Sequence, residues 1–161
     1  MPLEDPAPVW NDIELRDLAA TRALAADFAA KARIGDVVGL AGALGAGKTT
    51  FARFFIFARA GREMEVPSPT FSLVQPYSLS DATVWHFDLY RINSPGEALE
   101  LGIEDAFAEG ISLIEWPERL GDLLPEDRLD ISFHGSLDGE RRRVRVGGRG
   151  SWVSRMGDTA A

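Results

Sequence analysis

Runs of apolar residues alternate along this chain with segments whose apolar positions recur at helical spacing. Val37-Val38-Gly39-Leu40-Ala41 is apolar throughout and bounded by Gly35 and Gly42, the pattern of a strand buried on both faces. Ile111-Ser112-Leu113-Ile114-Glu115-Trp116, stopped by Pro117, and Thr83-Val84-Trp85-His86-Phe87-Asp88 read the same way. Between them, Leu18, Ala25, Phe28 and Ala29 share one helical face. Asp17 is the preferred N-cap, with Asn11 and Glu14 as a rival capping box, and Gly35 marks the end. Phe51, Phe54, Phe55 and Ala58 predict a helix over Thr49–Ala60. Ser94-Pro95-Gly96-Glu97 starts another, and Gly102 breaks it before a short one near Glu104–Ala108. Val9–Leu15 suits an edge strand. Arg128–Phe133 and Glu140–Val146 read as strands joined by a polar turn over His134–Gly139. This order predicts an α/β fold: a mostly parallel central sheet flanked by helices, with antiparallel strands added toward the C-terminus.

The 161 residues suffice for one domain with a real core. Residues 1–8, with three prolines, are expected to form a flexible leader, 9–146 a single phosphate-loop domain, and the Gly-rich 147–161 a poorly ordered tail. The net charge of −8 argues against a protein that grips nucleic acid through its own field. The absence of cysteine excludes disulfides, thiolate metal sites and a cysteine nucleophile. No apolar run is long enough to span a membrane, and the acidic start lacks signal-peptide features, so a cytoplasmic location is expected.

Gly42-Ala43-Leu44-Gly45-Ala46-Gly47-Lys48-Thr49 matches G-x-x-x-x-G-K-[ST] in full, between a predicted strand and a predicted helix. Glycines let backbone N–H groups converge on phosphate oxygens, and the helix adds its positive N-terminal end. Lys48 supplies a compact cation for the β and γ phosphates, and the Thr49 hydroxyl is placed for Mg²⁺. Chance yields this pattern in roughly one of 500 chains of this composition. Of the 17 basic residues only Lys31 and Lys48 are lysine, so a lysine in this loop is pointed.

Ligands of parallel sheets bind at the carboxyl ends of the strands. Asp88 and Glu115 both end predicted strands, whereas Asp36 precedes one and lies at the wrong edge. Glu115 is therefore the candidate for holding Mg²⁺ or orienting water, with Asp88 as a second site acid. His86 shares a strand face with Asp88, but a lone histidine is more often a packed core residue than a base. Ser68-Pro69-Thr70 reads equally well as a plain proline turn or as a mobile segment whose Thr70 hydroxyl reaches the γ-phosphate. Arg91 and Arg119 read equally well as phosphate or partner contacts or as surface ion pairs, while the basic spot Arg141–Arg145 reads first as a solvated strand face and second as a contact with a partner or RNA.

Four segments in this order, GALGAGKTT (42–50), SPTF (68–71), HFDLYR (86–91) and IEWPE (114–118), resemble the TsaE family, bacterial ATPases of tRNA threonylcarbamoyladenosine synthesis. The resemblance spans about residues 15 to 133. It implies a P-loop NTPase-like fold, ATP and Mg²⁺ as cofactors, and action with TsaD and TsaB, which would hold the tRNA. Carried over by motif, Gly42, Leu44, Gly45, Ala46, Gly47, Lys48, Thr49 and Thr50 would contact the nucleotide, with Thr49 and Glu115 as Mg²⁺ ligands. Lys48, Asp88 and Glu115 would be catalytic, Thr70 switch-like, and Trp116 near the nucleotide. Asp17, at the start of the first helix, matches the family's nucleotide pocket loosely. Ala43 stands where the family commonly has an acidic residue.

The residues leave rival classes open. A small-molecule P-loop kinase would need an acceptor pocket and a lid, for which no long insertion exists. A GTPase is excluded, because Asn-Lys-x-Asp cannot be built with lysine only at 31 and 48. A non-hydrolysing nucleotide-binding adaptor would be separated from these by turnover measurements.

Overall fold

The computed structural model describes residues 6–138 and 140–157, with no side-chain description for 135–138. Seven strands form one sheet: β1 (Val9–Leu15), β2 (Val37–Gly42), β3 (Val74–Ser78), β4 (Thr83–Asp88), β5 (Ile111–Glu115), β6 (Leu129–Asp138) and β7 (Arg141–Gly148). Their order is β1-β7-β6-β2-β5-β4-β3. The centre β6-β2-β5-β4 is parallel, and antiparallel strands flank it on both sides. The expected mixed sheet is thus present, extended by β3 at one edge. That strand escapes sequence reading because Pro76 interrupts it, which an edge strand tolerates.

Helices cover both faces, so the central strands are continuously apolar. α1 (Leu18–Lys31) and α2 (Lys48–Ala60) pack on one face, where Leu24, Phe28, Phe51 and Phe55 meet Val38, Leu40, Ile111 and Leu113. The other face carries α3 (Pro95–Glu100), α4 (Ile103–Glu109) and a 3₁₀ segment (Pro117–Leu123), which bury Val37, Phe87 and Ile114. Asp17 is the N-cap of α1, and its carboxylate accepts from the Ala20 N–H at 2.8 Å.

Two expectations need correction. The turn expected at His134–Gly139 is much shorter, since β6 runs to Asp138 and β7 starts at Arg141. The tail expected to be poorly ordered from 147 instead completes β7 and forms α5 (Trp152–Met156). Trp152 is fully buried and meets Phe28 edge-on, ring centroids 6.0 Å apart. Arg155 forks onto Asp36 at 2.6 and 2.8 Å. Of the expected leader, residues 6–8 are exposed and outside regular structure, and residues 1–5 lie outside the described residues, as do 158–161 of the tail. Among the described residues, no helix is long and apolar enough to cross a membrane.

Candidate functional site

The link from β2 to α2 turns sharply, and glycine makes the turn possible. Gly42 has φ +138°, and a Cβ there would sit 2.6 Å from the Phe133 carbonyl oxygen. Gly47, the N-cap of α2, has φ +118°. L-residues rarely adopt either conformation. The loop curls so that Lys48 points back into it. Its Nζ donates to the carbonyls of Gly42 (2.5 Å) and Ala43 (2.9 Å) and lies 4.1 Å from the centroid of the Trp116 ring. The opening N–H groups of α2 have no partner within the helix, as at any helix start.

The strand ends supply the facing wall. In the parallel β4–β5 pair, Asp88 lies opposite Glu115. His86 and Asp88 alternate with Phe87, which belongs to the far face, so both turn toward the side covered by α2, as does Glu115 beside Leu113 and Ile111. Thr49 Oγ1 donates to Glu115, at 2.9 Å from Oε1 and 3.1 Å from Oε2. His86 Nε2 lies 2.7 Å from Glu115 Oε2. One oxygen of Asp88 accepts from the Tyr90 N–H at 3.1 Å. Lys48, His86, Asp88 and Glu115 are all buried.

Burial governs the charges. It pushes the Asp88 carboxyl above the ordinary carboxylate range; the Tyr90 N–H opposes the shift, and the neighbouring Glu115 adds to it. Burial also lowers the Lys48 ammonium, against the pull of Glu115 and Asp88. The Lys48 ammonium and the Asp88 carboxylate are thus held in a setting that penalises charge.

A cleft of about 240 Å³ lies between the loop and the strand ends. Of the residues expected at the site, Leu44, Gly45, Gly47, Lys48, Thr49, Thr50, Thr70, Asp88, Glu115 and Trp116 line it, joined by Ser68 and Arg142. Gly42 touches Lys48 through its carbonyl, and Ala46 is turned into the core. Asp17 is not among the lining residues, being engaged as the α1 cap. From that helix start it is Leu18 and Thr21 that reach a small recess beside Gly47, Thr50, Phe133 and Arg142. Arg142 comes from the basic spot, and sequence could not choose it among its neighbours. Thr70 and Ser68 share a hydroxyl contact of 2.7 Å. Next to them Phe71 is 83% exposed, with the Arg91 guanidinium 4.7 Å from its ring centroid. Arg119 lies 5.9 Å from the Tyr90 ring centroid, outside the cleft lining.

A parallel-centred α/β sheet whose first central strand runs through a glycine loop into a helix defines a phosphate-loop-like fold. The crystal structure of Bacillus subtilis YdiB superposes with a TM-score of 0.76 over 93% of each chain, at 28% identity. The family profile "Threonylcarbamoyl adenosine biosynthesis protein TsaE" matches residues 15–144. The chain is also similar to curated proteins named tRNA threonylcarbamoyladenosine biosynthesis protein TsaE. That of Rickettsia bellii (strain RML369-C) is 40% identical over 126 residues, 78% of this chain and 87% of the relative. That of Bacillus subtilis (strain 168) is 38% identical over 122 residues, 75% of each. The chain belongs to the TsaE family.

Proposed function

We propose that this protein is a magnesium-dependent ATP hydrolase that works with TsaD and TsaB in forming threonylcarbamoyladenosine on tRNA. Family membership supports a part in that biosynthesis; the nucleotide chemistry is argued from the site. One observation carries it. The Thr49 hydroxyl and the Glu115 carboxylate are in direct contact at the start of α2, on the cleft into which Lys48 points.

That pair fits magnesium, which takes oxygen ligands, keeps several waters and leans on substrate phosphates. Among the described residues, no group of three or more His, Asp or Glu is arranged to hold a metal by itself. Phosphate and water would therefore complete the shell around Thr49 and Glu115. When held by Thr49 and Glu115, the ion would supply positive charge against the negative charge that develops on the phosphates.

The chain's own groups do the rest. Backbone N–H groups of residues 45–50 hold the α and β phosphates. Lys48 leaves the Gly42 and Ala43 carbonyls for β and γ oxygens, exchanging neutral acceptors for charged ones. Asp88, steadied through one oxygen by the Tyr90 N–H, uses the other to orient a water. Thr70 closes over the γ end, and Trp116 packs beside the phosphates. TsaD and TsaB hold the tRNA, in keeping with the net charge of −8.

ATP turnover measured alone and with TsaD and TsaB tests this reading. Weak turnover alone, raised by the partners and lost in Lys48→Ala, is expected. Turnover that is fast alone and indifferent to the partners, or phosphate found on a small acceptor, would overturn it.

A further inference from the structure

His86 is fully buried beneath the cleft, on a strand face that it shares with Val84 and Asp88 and that adjoins Ile111, Leu113 and Glu115 on the next strand. An imidazole there costs free energy unless its polar atoms are matched. Among the described residues, Nδ1 has no hydrogen-bond partner, and Nε2 has one, Glu115 Oε2 at 2.7 Å. A carboxylate only accepts, so Nε2 carries the hydrogen and donates. Glu115 accepts from Thr49 as well, so a single chain runs from the buried ring through the carboxylate to the hydroxyl on the glycine-loop helix. A packing role alone needs no contact with the site acid. Leucine or phenylalanine would fill the position without orphaning a ring nitrogen.

We propose that His86 is a positioning residue for Glu115: its Nε2–H pins Oε2 and so turns Oε1 toward Thr49 and the metal position between them. The inference rests on the reading of Thr49 and Glu115 as magnesium ligands. Without the donor, the Glu115 side chain rotates among staggered conformers in the cleft, and the pair of oxygens is no longer set in advance. Outer partners that orient a ligating carboxylate change metal affinity by about 10- to 100-fold when removed.

The test is the magnesium dependence of ATP affinity, read by calorimetric titration with and without Mg²⁺. Binding is measured rather than turnover. Four proteins are compared: wild type, His86→Leu, His86→Asn and His86→Gln. Glutamine can place an amide N–H near the position of Nε2; asparagine is too short, and leucine has no donor. Wild type gains affinity with Mg²⁺. His86→Leu and His86→Asn lose about 10- to 100-fold of that gain while binding magnesium-free ATP as wild type does, and His86→Gln recovers most of it. Circular dichroism confirms folding. If the leucine variant does not fold, the asparagine–glutamine pair makes the same comparison between two polar side chains. A magnesium gain unchanged in Leu or Asn, or a Gln variant as impaired as Leu, overturns the proposal. Wild type with no magnesium gain instead overturns the assignment of Thr49 and Glu115, a separate failure.

Discussion

At the edge of the sheet where β2 begins, Asp36 is gripped by both terminal nitrogens of Arg155, at 2.6 and 2.8 Å. At the edge where β2 ends, one ammonium, Lys48, faces two buried carboxylates, Asp88 and Glu115, and has carbonyls as its close partners. The lower pair is geometrically complete. A forked guanidinium on a carboxylate satisfies both groups and fastens α5 under α1, where Arg155 also donates to the Lys31 carbonyl. The upper cluster is incomplete. Burial works against both the Asp88 carboxylate and the Lys48 ammonium. Charge at one end therefore supports the fold, while burial opposes it at the other, which suits the proposed triphosphate ligand.

Mutations should then have opposite signs at the two ends. The largest effect falls at the lower end. Trp152→Ala removes a fully buried indole and should cost about 3–5 kcal/mol of stability in denaturant titration. ATP affinity measured well below the melting point should be unchanged. Next, Arg155→Leu removes the forked guanidinium from the half-buried Asp36 carboxylate, which keeps the Arg33 N–H, and should cost about 1.5–3 kcal/mol. A loss within 0.5 kcal/mol, the scale of an ordinary surface change, would show the lower pair to be ornamental.

At the upper end, Lys48→Ala removes a charge-assisted contact and should weaken ATP binding by about 1.5–3 kcal/mol, roughly 10- to 100-fold. Calorimetric titration reads this, with circular dichroism showing an intact fold. The smallest effect has the opposite sign. Asp88→Asn keeps the acceptor for the Tyr90 N–H and removes the charge, so the ligand-free protein should gain about 0.5–2 kcal/mol at neutral pH. The sign follows from linkage. The raised pKa means that folded Asp88 keeps its proton to a higher pH than the unfolded chain does. Stability therefore falls as pH rises from the ordinary carboxylate value through the raised one, and the cost stays fully present above it. The gain from Asn should vanish below about pH 4, where both states are protonated. A gain that persists there would remove charge as its cause.

Much of the upper end was legible in the sequence, because its chemistry leaves local signatures. The glycine loop announces itself by spacing, and Asp88 and Glu115 by closing apolar runs. Asp17 was correctly read as a cap, and that role accounts for its carboxylate. The lower end was hidden for a physical reason. Gly147 and Gly148 suggested a flexible tail, yet they serve close approach: a Cβ at Gly147 would lie 2.3 Å from the Trp10 ring, and one at Gly148 would lie 2.3 Å from Met156. Composition cannot separate a loose glycine from one pressed against a ring. Trp152 and Met156, four apart, were the available sign of a buried helix face. His86 was likewise legible as a buried histidine but not as a partner of Glu115, since 29 residues separate them and only the β4–β5 pairing joins them.

On the proposed function, the upper cluster is unfinished without a metal–triphosphate. A crystal structure with Mg²⁺ and a non-hydrolysable ATP analogue tests it most directly. Phosphates in the arc of residues 45–50, Lys48 released from the Gly42 and Ala43 carbonyls, and the cation between Thr49 and Glu115 are expected. Phosphates bound elsewhere, or a cation that leaves the Thr49–Glu115 contact as it stands, would contradict it.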